Sequence, residues 1–264
     1  MPEAKRTENF LLKHIPERAQ KPRDKGIAMV MDKGMSMREI ENFLQIAAPY
    51  TDFVKLGFGT AYVTPNLSDK LAVYRDFGVN TYFGGTLFEA FVIRDQFEDY
   101  IRVLEKYDMK FAEVSDGSME IPHDEKLNYI RKLSEHVTVL SEVGSKDAEV
   151  VIPPYMWVEL MQKEIEAGAW KVIGEAREGG NVGIYRGSGE VRSGLVQEIL
   201  HLIPKDKIIW EAPKKEQQVW FIKLVGHEVN LGNIAPNEVI PLETLRLGLR
   251  GDTFHHFLDM ANND

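Results

Sequence analysis

The sequence contains no cysteine. Disulfide bonds, thiolate metal sites and cysteine nucleophiles are therefore excluded, and the composition fits a reducing cytoplasm, where we expect the protein. Positive charge is also in short supply, because 32 lysines and arginines stand against 41 aspartates and glutamates, for a net charge of -9. A nucleic-acid or membrane-surface partner requires clustered positive charge, so we expect neither.

Long apolar runs are missing as well. No stretch approaches the roughly 18 apolar residues of a membrane span, and the N-terminal residues lack the apolar core of a secretion signal. The 264 residues are 44% hydrophobic and 28% charged, which is sufficient for one large core. No shift in composition and no linker marks a second domain, so we predict a single one.

Short β-branched and apolar segments alternate with amphipathic segments along the chain. Each apolar segment ends in glycine and charged residues, which is typical of buried parallel strands whose carboxyl ends face a solvent-filled site. The starts of these segments are spaced about 29 residues apart on average, as expected for repeated strand–helix units. The eight predicted strands are 27–31, 53–56, 80–83, 110–114, a run from 137 that stops at Glu142, 170–173, 207–210 and 228–231.

Eight strand–helix units predict a (β/α)₈ TIM barrel over residues 27–264, with residues 1–26 as an N-terminal arm across its bottom. A doubly wound open sheet is the alternative, but it usually has fewer strands. In a barrel the active site lies at the carboxyl ends of the strands. The glycine-rich segment 179–194 is expected to form a mobile loop over that site or a small β-hairpin, with a plain solvated excursion as the alternative.

Charged side chains cluster at the predicted strand ends. Carboxylates converging on one barrel mouth would repel one another unless a cation held them, and Mg²⁺ suits such oxygen ligands. The basic groups and glycine-rich turns suit an anionic, phosphate-bearing substrate. Each residue alone has an equally good structural explanation, but the whole set favours a metal-dependent enzyme for a small phosphorylated acid. The acids are Asp32, Glu113, Asp116, Glu142, Glu175 and Glu211, and the bases are Lys33, Lys55, Lys146, Arg177, Lys214 and Lys215.

Nine of these strand-end motifs, taken in order from about residue 26 to 254, resemble those of the phosphosulfolactate synthase family. The resemblance lies in the motif set as a whole. The motifs occupy residues 32–34, 55–59, 84–89, 113–117, 142–146, 175–179, 211–218, 230–234 and 249–253.

The resemblance implies a (β/α)₈ barrel that uses Mg²⁺ to add sulfite to phosphoenolpyruvate, giving (2R)-O-phospho-3-sulfolactate. In archaeal relatives this reaction begins coenzyme M synthesis, whereas bacterial relatives make sulfolactate. The family also includes heat-stress-related homologues, so the pathway stays open. The small-molecule partners expected on this basis are phosphoenolpyruvate and sulfite.

The resemblance also suggests roles for individual residues. It makes Lys146 the general acid, and partial desolvation among other cations would bring the pKa of a lysine there toward the working pH. We predict Asp32, Glu113 and Glu142 as metal ligands. The residues predicted to hold phosphate and sulfite are Lys33, Lys55, Arg177, Gly179, Gly180, Lys215 and Asn233.

Two other functions stay open on the sequence alone. One is a non-catalytic, stress-related barrel that acts through protein contacts, although a degraded site would usually have lost some of its acids and bases. The other is a different phosphoenolpyruvate or enolate lyase. We also expect a homo-oligomer, because the barrel helices carry more large apolar residues than packing on the sheet would use. These residues are Met156, Trp157, Trp220 and Phe221.

Overall fold

The computed structural model describes residues 9–144 and 152–261. Within these residues eight strands alternate with helices, and every ladder between neighbouring strands is parallel. The strands are β1 (Ala28–Asp32), β2 (Phe53–Leu56), β3 (Asn80–Phe83), β4 (Phe111–Val114), β5 (Thr138–Val143), β6 (Ala169–Gly174), β7 (Ile208–Glu211) and β8 (Leu231–Ile234).

Eleven α-helices occupy the connections and the C-terminus of the described residues. The first long one begins at the capping box of Ser36 and Glu39, as the spacing of these two residues predicts. The helices are α1 (Met37–Ala47), α2 (Thr60–Val63), α3 (Leu67–Asp76), α4 (Gly85–Val92), α5 (Phe97–Lys106), α6 (His123–Ser134), α7 (Pro154–Glu166), α8 (Ser193–Leu202), α9 (Lys215–Val225), α10 (Val239–Arg246) and α11 (Phe254–Ala261). In the described part of the chain, none of them has the length and apolar character needed to cross a bilayer.

The strand order shows that the sheet curves round on itself. It runs β3-β2-β1-β8-β7-β6-β5-β4, so the first and last strands in sequence are neighbours. The two ends of this order, β3 and β4, also lie against each other and bring the sheet to a nearly closed barrel. The predicted (β/α)₈ barrel is therefore confirmed, and the open doubly wound sheet is wrong.

The last strand lies three residues later than the sequence suggested. Glycine and asparagine are rare in strands, so we assigned Gly232 and Asn233 to the turn after a strand at 228–231. In the structure both belong to β8. A Cβ at Gly232 would lie 2.5 Å from the Met29 methyl carbon, so the glycine leaves room for this side chain of the neighbouring strand β1.

Side chains inside the barrel form layers. The lower layer is aromatic: the rings of Phe53 and Phe111 are 4.8 Å apart, and Trp170 lies 5.8 Å from Phe53. Successive side chains of a strand alternate between faces, so residues two positions later point the same way. Those residues are Lys55 on β2 and Glu113 on β4, which places a charged layer directly above an aromatic floor.

Residues 17–26 run along the opposite, amino-terminal end of the strands. The Arg18 guanidinium pairs with Glu243 at 3.1 Å, and Arg23 pairs with Asp52 at 2.9 Å. Both arginine side chains are almost fully buried by these contacts. Placing the start of the barrel domain at residue 27 stays a prediction.

The glycine-rich segment after β6 contains a short antiparallel pairing, between Tyr185 and Val191. This agrees with the small hairpin that the sequence predicts as one alternative for residues 179–194. The Gln217 side-chain amide donates to the carbonyls of Gly180 and Gly189, at 2.8 and 3.2 Å, and so fixes the segment to the start of α9. The Tyr185 hydroxyl in turn donates to the Glu211 carbonyl at 2.7 Å.

Candidate active site

A cleft of about 470 Å³ opens at the carboxyl ends of the strands. It is where the barrel fold places active sites. Its walls are formed by residues of the strands, of the loops that follow them and of the first turn of α4. They are Met31, Lys55, Gly57, Phe58, Gly84, Thr86, Glu113, Ser118, Glu142, Glu175, Arg177, Glu178, Gly179, Glu211 and Asn233.

One lysine lies at the centre of the cleft floor. The Lys55 ammonium is 2.9 Å from a carboxylate oxygen of Glu113 and 3.4 Å from oxygens of both Glu142 and Glu211. All four side chains are at least nine-tenths buried. One positive charge therefore faces three carboxyl groups that come from three different strands.

This excess of acid over base shifts the pKa values. Burial tends to lower the pKa of Lys55, but the charges of Glu113, Glu211 and Glu142 outweigh it and raise the pKa well above its usual value. Lys55 is thus a permanent cation at neutral pH and a poor proton donor. Burial also raises the pKa of Glu211 to about 7, with Glu142 and Glu113 adding to the rise and Lys55 opposing it.

Three carboxyl groups are arranged so that they could share a metal ion. Ligand oxygens of Glu142, Glu175 and Glu211 all lie within 4.8 Å of one another, and all three residues are buried. Carboxylates are the ligands that Mg²⁺ prefers. A cation here would favour the ionised form of Glu211, whose pKa burial raises, so the donor set fits a divalent metal ion.

Backbone amides hold these carboxylates in place. The Ala176 amide donates to Glu211 at 2.9 Å, and the Arg177 amide donates to Glu175. Arg177 adopts a positive φ of 53° to make this turn. The residues directly after β6 thus position two of the three candidate ligands.

Glu113 is placed differently from the other acids. Its Oε1 atom accepts a hydrogen bond of 2.6 Å from the Gly85 amide at the start of α4 and lies 2.9 Å from Lys55. Gly85 is required here, because a Cβ would meet the Ser115 hydroxyl at 2.3 Å. Glu113 lies in the cleft as predicted, but these contacts fit an anchor for Lys55 better than a metal ligand.

Asp32, the third predicted ligand, is absent from the cleft walls. It is fully buried, and its carboxylate lies 2.7 Å from the Lys70 ammonium and 2.8 Å from the Tyr74 hydroxyl, both on α3. The amides of Gly34 and Met35 donate to its other oxygen. The structure therefore separates Asp32 from the other two predicted ligands, and we leave it out of the metal set proposed below.

The predicted substrate-binding residues divide into two groups. Arg177, Gly179 and Asn233 line the cleft, as Lys55 does. The Asn233 side-chain oxygen is buried and accepts no hydrogen bond from the described residues, so it is free to meet a ligand.

The remaining predicted residues lie outside the cleft walls. Lys33 is exposed and pairs with Glu178 at the rim, and Lys215 pairs with Asp252 at 3.2 Å. Gly180 is buried against Gln217. Lys146, the predicted general acid, lies outside the described residues.

The sequence named Glu175 and Glu211 as strand-end acids but did not select them as ligands. Their position in the sequence could have indicated this role, because Glu211 ends β7 and Glu175 directly follows β6. Of the residues that suggested an oligomer, Trp157 and Phe221 are buried within the chain and only Met156 is substantially exposed. Homo-oligomerisation stays a prediction, and fewer exposed apolar residues support it than the sequence suggested.

Comparison of the sequence with protein families gave one match over most of the chain. The model of the (2R)-phospho-3-sulfolactate synthase family matches residues 16–252. A phosphosulfolactate synthase of Methanothermobacter thermautotrophicus is 43% identical over 244 residues, which cover 90% of this chain and 95% of that protein. The Bacillus subtilis protein of the same name is 40% identical and covers 91% of this chain and 96% of its own length. A third, from Methanocaldococcus jannaschii, is 39% identical over 87% of this chain and 94% of its own length.

Solved structures share the barrel at much lower identity. The 3-hexulose-6-phosphate synthase of Salmonella typhimurium superposes with a TM-score of 0.56 and 11% identity, covering 85% of this chain and 100% of that one. A 3-keto-L-gulonate-6-phosphate decarboxylase of Vibrio cholerae gives a TM-score of 0.56 at 8% identity, covering 88% and 99%. At such identities the similarity shows the fold alone.

Proposed function

The chain belongs to the (2R)-phospho-3-sulfolactate synthase family and is an enzyme, and from this premise we propose that it adds sulfite to phosphoenolpyruvate in a Mg²⁺-dependent reaction. The observation that carries the proposal is the cluster of buried carboxylates around Lys55 at the barrel mouth. A cleft with this excess of acid would repel a trianionic substrate unless a divalent cation came with it. The product would be (2R)-O-phospho-3-sulfolactate.

The reaction needs charge stabilisation and one proton. The sulfur lone pair of sulfite forms the new bond to C3, the electron pair of the double bond moves toward C2 and the carboxylate, and C2 then takes up a proton. No oxidant or reductant is required. Mg²⁺ bound by Glu142, Glu175 and Glu211 would supply Lewis-acid stabilisation of the charge on the substrate carboxylate.

The side chains of the cleft divide the remaining work. Lys55 keeps its proton, so we assign it the role of a fixed cation facing the developing negative charge. Lys146 is left as the proton donor to C2, on the basis of the family resemblance of residues 142–146. Arg177 would bind the phosphate through its guanidinium and Gly179 through the backbone of its turn, both at the cleft wall.

A direct assay tests the proposed reaction. The purified protein is incubated with phosphoenolpyruvate, sulfite and Mg²⁺, and phosphorus NMR follows conversion to phosphosulfolactate. Omitting sulfite is the control, because another phosphoenolpyruvate lyase would consume the substrate without it. Phosphoenolpyruvate that persists in the complete mixture would contradict the proposal.

Removing the metal should abolish activity, and Mg²⁺ should restore it. Glu175→Gln and Glu211→Gln should each weaken Mn²⁺ binding, measured by calorimetry, by about tenfold or more, since each deletes a charged ligand. Asp32→Asn is the matched control: it should lower the melting temperature by leaving Lys70 buried without its partner, yet bind Mn²⁺ within about twofold of wild type. Weakened Mn²⁺ binding in Asp32→Asn, together with unchanged binding in Glu175→Gln and Glu211→Gln, would show that Asp32 is a ligand and that the two glutamates are not.

The metal-free protein should lose stability as pH rises toward 7. The pKa of Glu211 is raised from 4.5 to about 7 in the folded chain. Between these values the folded state binds more protons than the unfolded state, so this group's stabilisation is complete below about pH 4.5 and is lost as pH rises through 7. Urea unfolding in EDTA at pH 5 and pH 8 should show a smaller loss in Glu211→Gln than in wild type. Equal losses in both proteins would contradict the assigned pKa.

Arg177→Lys should raise the Michaelis constant for phosphoenolpyruvate more than tenfold, equivalent to about 1.4 kcal/mol, because lysine cannot make a bidentate contact with phosphate. Steady-state kinetics at saturating sulfite measure it. Arg186→Lys, an exposed position of the same loop, is the control and should change nothing. An unchanged Michaelis constant in Arg177→Lys would remove this residue from the phosphate site.

A further inference from the structure

A second buried charge cluster lies behind the cleft, between the sheet and helices α6 and α7. At its centre is Lys126 of α6, whose side chain is 2% exposed. Its ammonium has three acceptors: an Asp116 carboxylate oxygen at 2.9 Å, a Glu164 carboxylate oxygen at 3.0 Å and the Glu142 backbone carbonyl at 2.6 Å. The contacts with Asp116 and with the Glu142 carbonyl have hydrogen-bond geometry, and the contact with Glu164 is an ion pair.

Lys126 and Glu164 favour their charged forms. Burial acts to lower the pKa of Lys126, but Glu164 and Asp116 outweigh it and raise the pKa. Burial acts to raise the pKa of Glu164, and Lys126, His123 and Ser141 together lower it instead. The positive charge of Lys126 and the negative charge of Glu164 thus compensate each other.

The ion pair with Glu164 does not explain why Lys126 also contacts the Glu142 backbone carbonyl, which is the shortest of its three contacts. The ladder between β4 and β5 ends at the pair Val114 and Ser141. The Glu142 carbonyl lies one residue beyond, where β4 no longer offers a partner. At this position the Lys126 ammonium donates to the Glu142 carbonyl the hydrogen bond that a backbone amide of β4 would otherwise donate.

The peptide unit that Lys126 holds lies between two candidate metal ligands. The Glu142 side chain extends from it into the cleft, 3.4 Å from Lys55. The next carbonyl, that of Val143, accepts a 3.0 Å hydrogen bond from the Glu175 amide. Displacement of this peptide would therefore move Glu142 directly and Glu175 through one hydrogen bond.

We propose that Lys126 is a positioning residue, whose ammonium fixes the end of β5 so that Glu142 and Glu175 reach the metal ion together. Lys126 itself is not among the residues that line the cleft. This role deepens the proposed function and rests on it. It predicts that losing the lysine weakens metal binding even when the fold is kept.

The test separates positioning from stability with two variants. Lys126→Met alone leaves Glu164 buried without its partner and should lower stability strongly. The double variant Lys126→Met/Glu164→Leu removes the two most buried charges and leaves Asp116, whose side chain is 26% exposed and open to hydration. Replacement of a buried ion pair by apolar residues is often neutral. The double variant should melt within a few degrees of wild type and bind Mn²⁺ ten- to a hundredfold more weakly, the range seen for outer-shell partners of metal ligands.

Ile130→Ala is the matched control. Ile130 is buried one turn further along α6 and carries no group that could donate to the Glu142 carbonyl, so this variant should lose stability but bind Mn²⁺ within about twofold of wild type. A second readout is turnover against Mg²⁺ concentration. The double variant should recover most of its turnover at saturating Mg²⁺, as expected if the ligands are displaced and not lost.

The outcomes distinguish this role from the proposed function. A folded double variant that binds Mn²⁺ within twofold of wild type would overturn the positioning role and leave the metal site standing. Wild-type protein that binds no Mn²⁺ would overturn the proposed metal site and the positioning role with it. Equal weakening in Ile130→Ala would show that general stability, and not the Glu142 peptide, sets metal affinity, and would overturn the role as well.

Discussion

Replacing Lys55 with methionine should destabilise the metal-free protein by about 3–5 kcal/mol, the usual cost of removing one partner from a buried ion pair. The Lys55 ammonium contacts Glu113, Glu142 and Glu211. Methionine keeps the length of the side chain but leaves three buried carboxylates to repel one another. Turnover should fall with stability, since the fixed charge facing the substrate is lost. Urea unfolding in EDTA and steady-state kinetics measure the two effects.

Divalent metal should partly rescue this variant. A cation in the cleft replaces some of the missing charge, so Mg²⁺ should raise the melting temperature of Lys55→Met by more than it raises that of wild type. Lys33→Met is the matched control, because Lys33 forms an exposed pair with Glu178 and such pairs contribute about 1 kcal/mol or less. A Lys55→Met protein as stable as the Lys33→Met control in EDTA would show that the carboxylates of the cleft do not depend on this lysine.

Changing Lys146 to alanine should lower the turnover number by roughly a hundredfold or more, while the melting temperature stays within a few degrees of wild type. The first effect follows from its proposed role as the donor of the proton to C2. The second follows from its place after Gly144, past the end of β5 and beyond the buried strand. Phosphoenolpyruvate should still bind, because Mg²⁺ and the phosphate contacts remain.

The structure narrows what could replace Lys146 if this prediction failed. Lys55 holds its proton too tightly to donate it at neutral pH, since three carboxylates raise its pKa. Lys33 is exposed at the rim and paired with Glu178. A folded Lys146→Ala protein with near wild-type turnover would therefore contradict the lysine mechanism as a whole.

The sequence by itself determined the architecture and the location of the site. Buried parallel strands are apolar throughout, so each strand stands out between amphipathic helices and the eight repeats can be counted. A charged residue that ends such a strand must face solvent or a partner, which identified the set that includes Lys55, Glu113 and Glu142. Only β8 was misplaced, because Gly232 and Asn233 resemble a turn until their packing against Met29 is known.

Only the tertiary structure decided which of these acids lie together. Asp32 and Glu211 each end an apolar strand and look alike in sequence, but Asp32 meets Lys70 and Tyr74 of α3, whereas Glu211 meets Lys55 across the barrel. The partners of Asp32 lie some forty positions along the chain and Lys55 lies 156 positions from Glu211. The local sequence pattern indicates that the charge of a buried carboxylate must be compensated by a partner. Which cation compensates it depends on the register of the closed barrel and on the packing of the helices around it, and neither is encoded within a few residues of the acid.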